Sequence, residues 1–508
     1  MARRSASARR RRAAVAVALT GGLALPAATA PAAVPPPGPP TVTLASVGAW
    51  CWFADPRAIA HGGRVVFGWV ADDGSIMAGD DRGRQVALDP RLERDDHDNP
   101  AFYVRRDGRL MAFWSAHNGR ELRYRMAAAG VGSSWGPVGR APANPGGGDD
   151  RYTYPNPLRV GTTLYLFWSG TATTATYATS PDDGDRWSAA RTLFAATGPR
   201  VRYVKYRAAA DGIHLAWSLG HPREGASGIR HAVIRGGSVE RQDGTPIGRL
   251  GTPLDPTAGD LVYAPTVAGG AWIHDLAVVD GRPEIAYAAF PSATDHRYRV
   301  ATWDGRRWRD EQVAAAGPSF ELSGAEPSYS GGIVLDPARA GVAYLSRRSG
   351  SAVHELARAE RTADGWTLTA ITSDSAQPNV RPYPVAGGLA WMRGAYPGYT
   401  RFRTALVWRP GAQAPPPAAT AVRVVDRRLP RDRRLRAIVH GPGGPLRVRV
   451  VRPTADGRLA IAGEVAGRAH GGRLTVRLPR LRAGLYRVSV WRGDQRLGWR
   501  HVRVAGAR

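Results

Sequence analysis

Residues Asp95 to Asn118, DDHDNPAFYVRRDGRLMAFWSAHN, set two histidines inside two polar clusters. Asp95, Asp96, His97, Asp98 and Asn99 come first and are stopped by Pro100; Ser115, His117 and Asn118 come last. Between them lie an alternating run, the dipeptide Asp107-Gly108 and the apolar stretch Leu110 to Trp114. Alternation broken by Asp-Gly signals a hairpin, and a hairpin brings its outer ends together. His97 and His117 are therefore predicted to meet at one end of a sheet, with the carboxamides of Asn99 and Asn118 nearby. An imidazole titrates near neutral pH and can serve as a base. Asp, Asn and Ser also cap turns generally, so the same residues fit satisfied turn positions.

The elements that must position this pair recur along the chain. A Gly-containing turn followed by a short apolar strand appears as GGRVVFGWV at Gly62, DGRLMAFWS at Asp107, GTTLYLFWS at Gly161 and DGIHLAWS at Asp211. Weaker copies are GRPEIAYAAF at Gly281, AGVAYLSRR at Ala340 and GGLAWMRG at Gly387. Their starts lie between 45 and 70 residues apart, which suits propeller blades of four strands with loop insertions. The expected fold is all-β: a seven-bladed β-propeller followed by a small C-terminal β-sandwich. Ser180 to Trp187 reads as an Asp-box-like turn, with degraded versions at Thr362 to Trp366 and Trp303 to Trp308. There Asp and Ser oxygens tie the backbone, Gly supplies positive φ and Trp packs between blades.

The 508 residues divide into stretches of distinct composition. Residues 1–32 carry a basic start, an apolar run from Ala13 to Leu25 and small residues at its end, the pattern of a secretory signal peptide. The protein is expected to be secreted after cleavage there. A Pro-rich linker covers 33–42, the propeller 43–410, a Pro/Ala linker 411–420 and the sandwich 421–508. No later stretch reaches bilayer-spanning length. Cys51 is the only cysteine, so no intrachain disulfide forms, and its Trp50-Cys51-Trp52 setting predicts a buried thiol. The net charge is +28, from 70 Lys+Arg against 42 Asp+Glu, and Lys205 is the only lysine. That balance favours an acidic polysaccharide as partner. The basic residues are scattered rather than striped, which argues against nucleic acid. The chain is expected to act as a monomer.

Further polar clusters flank the repeated strands. Arg151-Tyr-Thr-Tyr-Pro-Asn-Pro157 precedes the third copy, Arg200-Val-Arg-Tyr-Val-Lys-Tyr206 precedes the fourth, and His221-Pro222 follows the fourth. Equivalent positions in successive blades converge on one end of the channel. Together with DHRYRVATWDG, YSGGIVLDP and NVRP…WMRGAYPGYT, these motifs resemble the BNR-repeat family that includes ulvan lyases, over roughly Ser46 to Trp408.

The resemblance implies a seven-bladed lyase that cleaves a uronate-containing polysaccharide by β-elimination in a channel on one propeller face. Such chemistry needs the carboxylate neutralised, a base for the C5 proton and an acid for the departing O4. By the resemblance, His97 and His117 correspond to channel histidines and Tyr154 is the candidate acid/base. Tyr203 and Tyr206 compete for a second tyrosine position, and Tyr206 is carried as catalytic. Asn99, Asn118, Arg202, Tyr203, Lys205 and His221 are the expected substrate contacts. One departure stands out: Ser169 or Gly170 occupies the place after the third aromatic strand where an arginine is expected. Lys205 or Arg202 would then have to supply the cation.

Two other readings compete. A non-catalytic propeller could grip a glycan with the same residues, and a sialidase-like hydrolase would need three arginines and a Tyr/Glu pair. The spacing of Asp95, Asp96, His97 and Asp98 matches no closed zinc or calcium loop, so no metal or other cofactor is expected in the chemistry. A structural cation between blades stays open.

Overall fold

The computed structural model describes residues 41–504 apart from 147–150, 171–173, 196–200, 202, 225–226, 265–269, 412–420, 425, 427–428, 430–433, 441–444, 454–458, 469–472 and 493–494. The leader, most of both linkers and Arg202 fall outside these residues. The regular structure of the described residues is strand, with short 3-10 turns such as Asp96–Asp98 besides the connecting loops. No helix among the described residues is long and apolar enough to cross a membrane.

Seven antiparallel sheets follow one another between Val42 and Arg409 among the described residues. Each of the seven repeated segments forms the second strand of its own sheet: Arg64–Ala71, Leu110–Trp114, Thr163–Ser169, Gly212–Ser218, Arg282–Ala289, Val342–Arg347 and Gly388–Gly398. Their burial explains the sequence pattern, because a strand covered on both faces reads as a continuous apolar run. Leu110–Trp114 is buried at every residue, as is Gly212–Ser218. The ring closes through the chain's start. Val42–Ala45 pairs with Arg401–Arg409, Val42 opposite Trp408, and so supplies the outermost strand of the seventh sheet.

The turn from Ser180 to Trp187 ties itself in the way its residue types dictate. Gly184 N donates to Ser180 Oγ at 2.7 Å, Arg186 N donates to Asp182 Oδ1 at 2.8 Å, and Gly184 sits at φ 104°. Trp187 packs 6.2 Å from Phe113 of the preceding sheet.

Beyond the linker lie two further sheets, one of three strands (Ala421–Val424, Arg434–His440, Arg473–Arg477) and one of four (Leu459–Arg468, Pro445–Pro453, Gly484–Arg492, Gln495–Val504). Both feed one buried cluster, with Leu435 and Val476 from the first and Val448 and Val488 from the second.

Candidate active site

The innermost edge of the first sheet is split. Gly48–Ala49 pairs with Val70 and Ala71, and Ala58–His61 pairs with Arg64 to Phe67, both along the same edge of one strand. The residues between them leave the sheet and pack among the innermost strands of the other sheets. Trp50, Cys51, Trp52, Phe53 and Ala54 are each at most 3% exposed. Their backbone is held from several sides. Asn99 Oδ1 accepts from Cys51 N at 2.9 Å, Asn156 Nδ2 donates to the Phe53 carbonyl at 2.8 Å, and Arg381 Nη1 donates to the Trp50 carbonyl at 2.5 Å. This aromatic plug separates two cavities: Cys51, Trp52 and Phe53 line one of about 180 Å³, while Asp55 and Pro56 line another of about 350 Å³.

His97 and His117 meet in the smaller cavity, as the hairpin predicted. The strands Ala101–Val104 and Leu110–Trp114 pair across the Asp107-Gly108 turn. The imidazoles stack with centroids 4.2 Å apart and planes 17° from parallel. One carboxylate serves both: Asp95 Oδ1 lies 2.5 Å from His97 Nδ1, and Asp95 Oδ2 lies 3.0 Å from His117 Nδ1. With Nδ1 engaged on each ring, Nε2 is the nitrogen left for a ligand, the tautomer control that a carboxylate exerts on histidine. The Asp95 carboxyl is buried, which by itself would raise it, but His97 and His117 hold it well below the usual carboxylate range. His97 is raised above the ordinary imidazole value, because Asp95 and then Asp96 outweigh the burial that lowers it.

Tyr154 reaches the same cavity through a strand irregularity. The pairing of Thr153–Val160 with Thr163–Ser169 shifts between Thr153 and Asn156, and Tyr154 takes φ 60°. A bulge re-aims a side chain, at a conformational cost of about 1–3 kcal/mol for a bulky residue at positive φ. The Tyr154 ring lies 5.7 Å from His97, and burial pushes its phenol well above the ordinary value, so it stays protonated. Tyr203, His221 and Asn118 also line the cavity. His97, His117, Asn118, Tyr154, Tyr203 and His221 are thus brought together.

Three expected residues stand elsewhere, and Arg202 lies outside the described residues. Lys205 and Tyr206 line the larger cavity beyond the plug, which corrects their placement with the histidines. The reason is strand rise: Tyr203 precedes the strand Val204–Ala209, and each residue further along descends about 3.3 Å. Lys205 Nζ is committed to the Trp52 carbonyl and to Asp55 Oδ2, the latter at 2.5 Å. The Tyr206 ring stacks on Phe167 at 4.3 Å. Asn99 is fully buried and spends its amide on the plug backbone rather than on the cavity. Ser169 and Gly170 do not line the cavity, and a side chain at Gly170 would collide with Thr176 and Asn144.

The cation that sequence reasoning missed is Arg223, two residues past His221. It lines the cavity and donates from Nη1 to Glu326 Oε1 at 2.8 Å. His221 Nε2 stands 3.6 Å from Glu326 Oε2. Burial raises the Glu326 carboxyl despite Arg223. The sequence signal was the run His221-Pro222-Arg223, read only to its second residue. Trp272, Tyr329 and Tyr399 complete an aromatic wall.

Cys51 is free and buried, as its aromatic neighbours predicted, and burial pushes its thiol up to about 12. Among the described residues, two groups of side chains come close enough to hold a cation, Asp95 with His97 and His117, and Cys51 with Asp96 and His97. In the first, both Nδ1 atoms already face the carboxylate. In the second, the thiol resists the deprotonation that metal binding requires. The arrangement suits proton transfer better than metal ligation.

Residues 68–316 match the family model described as BNR repeat-containing family member. No curated protein matches the sequence. Among solved structures, a PL25 ulvan lyase bound to a GlcA(1-4)Rha3S repeat superposes with a TM-score of 0.54 at 12% identity, covering 72% of this chain and 94% of that one. A structure of a PL25 ulvan lyase described without that ligand gives the same values. The polysaccharide lyase Uly1 gives 0.49 at 13% identity, over 72% of this chain and 92% of that one. Likeness at such identity speaks to the fold: all-β and propeller-like.

Proposed function

Starting from a chain whose residues 68–316 match the BNR repeat-containing family, we propose a secreted lyase that cleaves a uronate-containing acidic polysaccharide by β-elimination. The seven sheets are read as seven blades of one propeller and the two C-terminal sheets as an appended sandwich. One observation carries the reading: two imidazoles share the Asp95 carboxylate through Nδ1 beside a phenol that burial keeps protonated. The imidazole pair takes the C5 proton through Nε2. Tyr154 gives its proton to the departing O4, and the electron pair from the C5–H bond becomes the C4=C5 double bond as the C4–O4 bond breaks. Arg223 and Asn118, both lining the cavity, face the uronate carboxylate and stabilise the enolate-like charge, as pre-placed donors do. The sugar rings lie against Trp272, Tyr203 and Tyr399. The basic start and apolar run of residues 1–32 support export. The PL25 ulvan lyase bound to a glucuronate-rhamnose sulfate repeat makes ulvan-type polymers the first substrates to test.

The test is ultraviolet absorbance of the unsaturated uronate, followed on a panel of acidic polysaccharides with binding measured in parallel. Growth of the absorbance on at least one polymer is expected. Arg223 is already paired with Glu326, an observation that favours a propeller that only grips its glycan. Binding without absorbance on every polymer would establish that second reading. Among the described residues that line the cavity, a sialidase-like reaction finds one arginine, Arg223, where three are needed.

A further inference from the structure

Away from the channel, between the third and fourth strands of the fourth and fifth sheets, lies a groove of about 470 Å³. Four guanidiniums line it: Arg230, Arg241, Arg306 and Arg307. Several other arginines in the same two sheets are neutralised, Arg235 by Asp211 and Glu240, Arg299 by Asp310, Arg309 by Asp304. Among the described residues none of the four groove guanidiniums has a carboxylate partner. Arg230 donates only to the Gly259 carbonyl and Arg241 to the Ala258 carbonyl. The groove's two carboxylates are occupied otherwise: Asp260 Oδ2 accepts from Gln242 N at 2.8 Å and lies 3.2 Å from His231 Nδ1, and Asp243 Oδ1 accepts from Thr245 N at 2.9 Å.

Two further features shape what could fill it. Trp303 and Trp308, 5.7 Å apart, give the groove an aromatic side. Arg230 Nε and Trp308 Nε1 are buried N–H groups without an acceptor, a state that costs free energy until an oxygen arrives. Arg306 and Arg307 are presented by the turn Trp303 to Trp308, where Asp304 Oδ1 accepts from the backbone N of both. Both side chains are exposed at its tip.

We propose that this groove is a second binding site, distinct from the channel, for the charged sugars of an acidic polysaccharide. Carboxylate or sulfate groups sit among Arg230, Arg241, Arg306 and Arg307, and a sugar ring lies against Trp303. Guanidinium forks suit both oxyanions, and an aromatic face suits the apolar side of a pyranose. A volume within the usual range for small-ligand pockets fits one or two sugar rings better than an extended nucleic-acid backbone, which asks for a long basic track. The inference rests on the reading that the channel takes an acidic polysaccharide. It adds a place that keeps polymer on the enzyme between cuts.

The experiment compares wild type, Arg306→Gln/Arg307→Gln, Trp303→Ala, and the control Arg473→Gln/Arg477→Gln, which removes equal charge from exposed positions in the C-terminal sheets. Retention on immobilised glucuronate-rhamnose sulfate polymer is measured alongside turnover of a soluble tetrasaccharide of the same repeat. The groove double variant and Trp303→Ala are each expected to bind polymer more weakly, on the order of three- to thirty-fold for the double variant. The control should bind as wild type, and tetrasaccharide turnover should be unchanged in all four. Polymer retention unchanged in the double variant, or equal loss in the control, overturns the groove site. Immobilised polyphosphate tests selectivity: if wild type is retained there as strongly as on the polysaccharide, and Trp303→Ala changes neither, the surface is a charge patch and the sugar site is wrong. If no protein generates unsaturated product yet the polymer losses follow this pattern, the lyase reading fails while the groove stands.

Discussion

Arg381 and Asp96 are 285 residues apart in sequence and form an ion pair that excludes solvent almost completely, Nη1 to Oδ2 at 2.5 Å. Arg381 comes from the innermost strand of the seventh sheet, where the pairing shifts between Val380 and Tyr383 and φ is 51°. Asp96 comes from the turn that also carries His97. The guanidinium lies 4.8 Å from the Trp52 ring and donates to Tyr396 Oη at 3.1 Å. The pair fixes the histidine turn against the plug and the last sheet at once.

Removing one partner of a buried ion pair leaves the other charge stranded, at about 3–5 kcal/mol. Arg381→Met should therefore lower the unfolding free energy read from urea titration by that amount and shift the midpoint down accordingly, with Arg381→Met/Asp96→Asn recovering part of it. A midpoint within error of wild type for the single variant would show that the pair carries no stability.

Tyr154→Phe removes one phenolic proton and keeps the ring. Turnover on a cleaved polymer should fall by on the order of 10² to 10⁴, while binding stays within a few-fold. A comparable loss of binding would mean that Tyr154 holds substrate rather than protonating O4.

Lys205 lies across the plug from the histidines. Its ammonium bonds Asp55 and the Trp52 carbonyl beyond the plug. Lys205→Met should leave turnover near wild type and lower the melting temperature, and Asp55→Asn added to it should lower it further, because Asp55 also pairs with the buried Arg57 at 3.0 Å. A large loss of turnover at unchanged stability would return the lysine to carboxylate neutralisation.

The His97–Asp95 contact sets opposite pH trends for stability and rate. His97 is raised by Asp95, so its contribution to stability is complete below the unfolded value of about 6.5 and is lost as pH rises through the folded value. Asp95 is depressed, so its contribution is present above about 3.9 and is lost as pH falls through the folded value. A base must be neutral to accept a proton. Turnover should accordingly climb as pH rises above about 6.5, over the same window in which the melting temperature declines, and His97→Gln should flatten the stability trend. Parallel trends in the two measurements would remove His97 from the base role.

The Cys51 thiol is buried and raised to about 12, so a bulky thiol reagent should not label it in the native protein and should label it fully in urea. Rapid native labelling would contradict the closed plug.

The sequence by itself determined what local patterning can carry. Period-two alternation and the Asp107-Gly108 turn placed His97 beside His117, because a hairpin's geometry follows from its own residues. Seven apolar repeats marked the second strand of seven sheets, because burial on both faces leaves a continuous signature. Trp50 and Trp52 around Cys51 foretold a buried thiol. Tertiary structure decided the rest. That residues 50–54 fill the middle of the ring was not legible, since an interrupted edge strand looks like any short loop until its neighbours close around it. The plug then divided the polar clusters, leaving Tyr203 on one side and Lys205, two residues on, on the other, a separation of about two strand rises. The shifts that take Tyr154 and Arg381 out of regular pairing precede Pro155 and Pro382, a signal visible in sequence whose direction only the packed channel fixes. Arg223 and Glu326 are 103 residues apart, and charges so distant in sequence become partners only when the ring brings their loops to one mouth.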